Sequence, residues 1–148
     1  MRITQEADYA LRICVQLAQT EFPVGAPQLS SDLSVPLRFT SKILRKLMLA
    51  GVVSSTRGVN GGFSLKKTAN ELSLRRVIEA VDGAIAIRHC LAPKHNCSFQ
   101  PEKSKCRFHR VFEELNGIIT SRLDLLSVAD MVNPDIPVTE LTERLYKF

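Results

Sequence analysis

PLRFTSKILRKLMLAGVVSSTRGVNGGFSLKK, residues 36–67, decides how this chain folds. Pro36 suits the first position of a helix, where its missing N–H has no partner in any case. Ile43, Leu44 and Leu47 fall on one side of that helix and predict its buried face, while Arg38, Ser41, Lys42 and Arg45 fall on the other. Gly51 stands where a left-handed C-terminal cap is wanted. Val52 to Thr56 and Phe63 to Lys66 then alternate like two strands, and the stretch between them, Arg57-Gly58-Val59-Asn60-Gly61-Gly62, carries the Asn-Gly signal of a hairpin turn. A hairpin directly after a helix that is basic on its outer side is the wing of a winged helix, with Arg57 at the base or tip of that wing.

Reading upstream completes the motif. Thr4 can cap a first helix to about Gln19, with Ala7, Ala10, Leu11, Cys14, Val15 and Ala18 on its inner face. Cys14 lies inside that apolar stripe and reads as a small core residue. After the turn-rich EFPVGAP, a short helix from about Pro27 to Asp32 buries Leu29 and Leu33, so that helices two and three form a helix-turn-helix. Charge agrees with this. Residues 1–68 hold nine Lys/Arg against four Asp/Glu, residues 69–148 hold eleven of each, and no acidic residue lies between Asp32 and Glu71. A one-signed face attracts polyanions and binds them with counterion release, which points to double-stranded DNA. Arg38, Ser41, Lys42 and Arg45 are the candidates for the major groove, and Arg57 with Asn60 for the minor groove. Lys66 and Lys67 are candidates for phosphate contacts that give affinity without sequence choice.

Downstream, Ser73 can cap a helix with Leu74, Val77, Ile78 and Val81 facing inward and Gly83 ending it. RHCLAPKHNCSFQPEKSKCRFHR follows, gathering Cys90, Cys97 and Cys106 with His89, His95 and His109, all the histidines of the chain. Buried structural cysteines sit among apolar residues, whereas these lie in a polar loop with Lys94, Lys103, Lys105 and Arg107 around them, a setting that favours thiolates and bound metal. A long helix then runs from Cys106 to about Leu126, with Phe108, Phe112, Leu115, Ile119, Leu123 and Leu126 at steps of three and four. A small winged domain has too little chain to cover such a stripe, so pairing with a second copy is expected, on a two-fold DNA site. The fold expected is mainly α with a small β-hairpin, a winged helix-turn-helix plus a long dimerisation helix. Residues 1–83 form the DNA-binding domain, 84–105 the cysteine loop, 106–131 the dimerisation helix region, and 132–148 a tail with a short helix.

The 148 residues suit one compact domain or a small domain with an interaction element. No run of about 18 apolar residues spans a membrane, and MRITQEADYALR has no apolar segment of a signal peptide, so a cytoplasmic protein without a membrane partner is expected. Disulfides are rare there, which directs clustered cysteines toward metal or redox chemistry. No Ser–His–Asp pattern, phosphate loop or paired acidic site indicates an enzyme, and the Gly-rich loop joins two strands where a phosphate loop would open a helix. Thiolates suit iron–sulfur clusters and zinc alike, and a pair of them can also form a regulatory disulfide.

Four features together resemble a bacterial family, the winged-helix iron–sulfur transcription regulators that include IscR and NsrR. They are the opening MRITQEADYALR, the block from Pro36 to Leu47 with Ala50-Gly51-Val52-Val53, the wing Arg57-Gly58-Val59-Asn60-Gly61-Gly62-Phe63, and three cysteines before a long helix. The likeness runs from Met1 to about Met131. It implies a homodimeric transcription regulator, a repressor, whose operator binding depends on a 4Fe–4S or 2Fe–2S cluster sensing nitric oxide, redox state or iron–sulfur status. Its thiolate ligands would be Cys90, Cys97 and Cys106, here with six and eight intervening residues, wider than is common in the nitric-oxide-sensing members. Two residues match the family's fourth ligand. His109 corresponds to the histidine of IscR-like proteins, and Asp8, in its DYALR context, to the carboxylate that NsrR-like proteins deliver from the other subunit. The alternative is the same DNA-binding regulator controlled by cysteine oxidation, zinc or a protein partner.

Overall fold

The computed structural model describes residues 3–92 and 97–146. Helix α1 (Gln5–Ala18) begins at Thr4, whose hydroxyl accepts the Ala7 N–H at 3.1 Å and donates to the Asp82 carboxylate at 2.7 Å. Helices α2 (Ala26–Asp32) and α3 (Leu37–Leu49) are joined by a tight turn in which Ser34 takes a positive φ of 52°. That turn is locked from both sides, since the Val35 N–H donates to the Ser30 carbonyl at 3.1 Å and the Ser30 hydroxyl donates to the Val35 carbonyl at 2.7 Å. Pro36 stands one place earlier than its sequence position suggests. It is the N-cap, and its carbonyl accepts the Phe39 and Thr40 N–H groups at 2.8 and 3.0 Å. Gly51, with φ 71°, closes α3 as expected.

Strands β1 (Val53–Thr56) and β2 (Gly62–Leu65) pair antiparallel, from Val53 opposite Leu65 to Thr56 opposite Gly62. The wing loop is thus residues 57–61, turning at Gly58 (φ 112°) with the Gly61 N–H on the Gly58 carbonyl at 3.0 Å, and not a two-residue Asn-Gly turn. On the far side of β2, Val24 and Phe63 exchange both backbone hydrogen bonds at 2.9 Å. Two of the wing's three glycines, Gly61 and Gly62, answer crowded approaches. A Cβ on Gly61 would lie 2.4 Å from the Thr56 carbonyl oxygen, and one on Gly62 would lie 2.7–2.8 Å from the backbone of Val24.

Helix α4 (Leu74–Asp82) is capped by Ser73 and ended by Gly83 at φ 81°. After the cysteine segment come α5 (Arg107–Asp124), α6 (Val128–Val132) and α7 (Val138–Tyr146). One apolar core joins Ala7, Ala10, Ile13, Cys14 and Leu17 of α1 to Leu29, Ile43, Leu44, Leu47, Val77, Ile78, Val81 and Val128. Val128 gets there because the chain on either side of it is tied back to the start of α4, Leu74 N–H to the Leu126 carbonyl at 2.9 Å and Val128 N–H to the Leu72 carbonyl at 2.8 Å.

The stripe expected along α5 divides between two faces. Ile119 and Leu123 are half-buried, Leu126 is buried just past the helix, and Leu123 packs against the chain's own core. Phe108, Val111, Leu115, Ile118 and Leu125 form the exposed apolar stripe instead, at steps of three, four, three and seven. The chain therefore turns one apolar side of α5 inward and leaves a second, adjacent one uncovered.

Candidate functional site

The basic face follows from the amphipathic pattern of α3. With Thr40, Ile43, Leu44 and Leu47 buried, Arg38, Ser41, Lys42 and Arg45 are left exposed together on the opposite side. Arg57 and Asn60 are exposed on the wing loop, and Lys66 and Lys67 are exposed just after β2. Among the described residues Arg38, Arg45, Arg57, Lys66 and Lys67 form no ion pair. Val59, at the wing tip, is the most exposed apolar side chain among the described residues.

Lys42 is different. It pairs with Glu6 of α1, and Glu6 also accepts from Lys46 at 2.5 Å. Lys46 in turn donates to the Val81 carbonyl at 2.8 Å, near the C-terminal end of α4. Hydrogen bonds from Lys42 and then Lys46 hold the Glu6 carboxyl below the usual carboxylate range. Periodicity alone could not find this contact, which crosses between two helices far apart in sequence.

The cysteine site is built between the segment after α4 and the first turn of α5. The Asn116 side chain clamps the segment to α5, accepting the Ile87 N–H and donating to the Ile85 carbonyl, both at 3.0 Å. Arg88 then lies over the Phe108 and Phe112 rings at 5.2 and 5.3 Å, within cation–π range. Cys90 is buried in a short 3₁₀ turn, His89–Leu91. Cys106 is the N-cap of α5, its Sγ accepting the His109 N–H at 3.4 Å. Cys90, Cys97, Cys106 and His109 all line one cavity of about 220 Å³, together with Arg88, Phe99, Gln100, Lys103 and Phe108.

Two details bear on what this cavity can hold. His109 is 8% exposed and its Nδ1 meets no hydrogen-bond partner among the described residues, a costly state for a buried polar atom unless something else engages it. Backbone N–H groups of Gln100 and Phe99, with a smaller contribution from Arg88, hold the Cys97 thiol below its ordinary value. Cys14, by contrast, is pushed up to about 12 by burial and is a neutral core thiol. Among the described residues no three His, Cys, Asp or Glu side chains converge on one point as ligands of a single metal ion would. The donor set, three soft thiols and an imidazole spread around a cavity, is chemically suited to an iron–sulfur cluster.

The remaining predicted residues lie elsewhere. Asp8 is on α1, paired with Arg12 at 2.7 Å, beside a separate groove lined by Ile3, Thr4, Gln5 and Leu11. His89 is exposed and does not line the cavity. His95 and Lys94 lie outside the described residues. Asn116 and Arg88, which shape the site, escaped the sequence reading. Arg88, two residues before Cys90, was the visible hint, but Asn116 shows its role only once α5 folds back.

Residues 3–134 match the family profile described as Rrf2, iron-dependent transcriptional regulator. An rrf2-like HTH-type transcriptional regulator of Rhodobacter capsulatus is 33% identical over 152 residues, covering 95% of this chain and 99% of that one. The HTH-type transcriptional regulator IscR of Photorhabdus laumondii is 30% identical over 135 residues, 90% of this chain and 80% of that one. Among solved structures, T. potens IscR superposes with a TM-score of 0.68 at 22% identity, covering 89% of this chain and 86% of that one. CymR, the global cysteine regulator of B. subtilis, superposes with a TM-score of 0.65 at 19% identity, over 89% of this chain and 96% of that one. At these identities the two structures support the winged-helix fold alone.

Proposed function

The chain belongs to the Rrf2 family of DNA-binding transcriptional regulators, and from that premise we propose that it is a homodimeric repressor whose operator binding is governed at the cavity of Cys90, Cys97, Cys106 and His109. The observation that carries this reading is that those four side chains line one cavity, with the His109 Nδ1 buried and without a partner among the described residues. The three cysteines would hold an iron–sulfur cluster, with His109 as the donor from the same chain. Asp8 could serve only from the partner copy, since within one chain it lies beside a different groove. A cluster bound there would supply a centre that reacts with oxidants or nitric oxide.

The chain's own residues explain how the state of that cavity reaches DNA. Cys106 caps α5, so its engagement orders the first turn of the exposed apolar helix. Asn116 and Arg88 fasten the cysteine segment to α5, and Gly83 joins the same segment to α4. Ordering the segment would therefore add a second tie between α4, with the winged domain on it, and the start of α5, beside the tie that Leu126–Leu74 and Arg75–Asp124 make at the other end of α5. If α5 pairs with its twin through Phe108, Val111, Leu115 and Ile118, this sets the separation of the two α3 helices, which must match half-sites about one helical turn apart. Arg38, Ser41 and Arg45 would enter the major groove, Arg57 and Asn60 the minor groove, and Lys66 would touch phosphate.

Anaerobic purification tests the cofactor. Brown protein with iron and acid-labile sulfide, lost in Cys97→Ser, is the expected result, whereas zinc alone, or colourless protein with full operator affinity, refutes it. Cys97 also favours a second reading, control by thiol oxidation, because it lines the cavity and backbone N–H groups hold its thiol below the ordinary value. In that case DNA affinity follows peroxide and dithiothreitol with no iron bound.

A further inference from the structure

Among the described residues Glu6 is the one acidic side chain that forms ion pairs with the basic residues of α3. Its carboxylate reaches Lys42 and Lys46, one helical turn apart, and its side chain is 22% exposed against 54% for Lys42. The two lysines are not held alike. Lys46 has a second partner, the Val81 carbonyl, and stays anchored between α3 and α4 whatever happens to Glu6. Among the described residues Lys42 has only Glu6, and it lies on the same exposed face as Arg38 and Arg45.

We propose that Glu6 is a positioning residue that sets DNA specificity by acting as an internal counter-anion for Lys42, withholding that lysine from phosphate. The inference rests on the DNA-binding reading above. A partly exposed ion pair of this kind adds little to stability. Its larger consequence is for binding, where each lysine on phosphate adds affinity that is blind to sequence and releases counterions. While Glu6 holds Lys42, a smaller share of the affinity is sequence-blind, and base contacts from the neighbouring side chains count for more. Replacing the carboxylate by its neutral isostere frees one cation per chain without adding volume.

The test is fluorescence anisotropy of the full chain on a labelled duplex of mixed sequence across a salt series, comparing wild type, Glu6→Gln, Lys42→Gln, Arg45→Gln and the Glu6→Gln/Lys42→Gln double variant. One added phosphate contact steepens the log–log salt slope by about 0.9 per chain, or roughly fivefold to tenfold tighter binding near 0.1 M salt. Glu6→Gln should show that gain, and the double variant should match Lys42→Gln. Lys42→Gln alone should lose less than Arg45→Gln. An unchanged or weaker Glu6→Gln that melts like wild type overturns the inference. So does a Lys42→Gln loss as large as that of Arg45→Gln, a comparison that stands even if Glu6→Gln folds poorly. Wild type that binds no duplex at low salt overturns instead the DNA-binding reading beneath it.

Discussion

Gly62→Ala puts the wing to the test at its tightest point. The new Cβ would sit 2.7 Å from the carbonyl carbon of Val24 and 2.8 Å from its N and O, where ordinary contact begins near 3.4 Å. Every crowded atom is backbone, so no side chain can swing aside. Val24 must withdraw from β2 by more than half an ångström, and the two 2.9 Å hydrogen bonds that it exchanges with Phe63 lengthen or break. At about 1 kcal/mol net for each bond, with some residual strain, the loss should be about 2–3 kcal/mol. For a chain of this size that lowers the melting temperature by roughly 5–10 °C. Urea or thermal unfolding followed by circular dichroism, at one fixed protein concentration, measures the loss. DNA affinity should fall as well, because β2, which loses its tether to Val24, is one arm of the hairpin that carries the wing loop and Arg57. A variant within about 0.5 kcal/mol of wild type would mean that the close approach of Val24 is not what keeps a glycine at position 62.

Gly117→Ala should do the opposite: a Cβ there meets nothing within 4 Å inside α5, and the same melts should show a gain of about 0.5–1 kcal/mol. Leu115→Asp places a charge on the exposed stripe of α5, so analytical ultracentrifugation should show a shift from dimer to monomer with little change in helicity, and an unchanged sedimentation coefficient would exclude this stripe as the interface. Arg57→Ala should weaken specific operator binding by on the order of 1–3 kcal/mol in a gel-shift titration, and unchanged binding would remove the wing from the account. Stability should also fall in acid. Hydrogen bonds from Lys42 and Lys46 depress Glu6, while at Asp130 burial pushes upward but is outweighed by the Ser127 N–H and hydroxyl and by Arg144. A carboxyl depressed in the folded state contributes stability above its unfolded pKa, near pH 4, and loses it as pH drops through the folded value. Asp130→Asn should therefore flatten the melting temperature against pH in that range, while Glu6→Gln, whose ion pair is partly exposed, should add little, and an Asp130→Asn curve as steep as wild type would refute the assignment.

Much of this molecule follows from local rules. Thr4 and Ser73 cap where a short hydroxyl side chain precedes an apolar stripe, Gly51 and Gly83 end helices at positive φ, and the burial of Ile43, Leu44 and Leu47 leaves Arg38, Ser41 and Arg45 facing outward. Such features depend on a few consecutive residues, so the sequence alone determined the winged helix-turn-helix and the cysteine segment between two helices. What it could not determine was every contact made between distant elements. Tertiary packing chose which side of α5 turns inward, because several apolar residues on two adjacent sides satisfy the helical period equally well, and contacts with distant elements, the tether of Leu126 to Leu74 and the Asn116 clamp among them, select between them. It placed Asn116 on the cysteine segment, brought His109 into the cavity while leaving Asp8 beside another groove, and set Glu6 against Lys42. These partners are separated by many residues along the chain. Which of them meet depends on how the helices pack, a choice that the burial of one shared core makes and that no local pattern records.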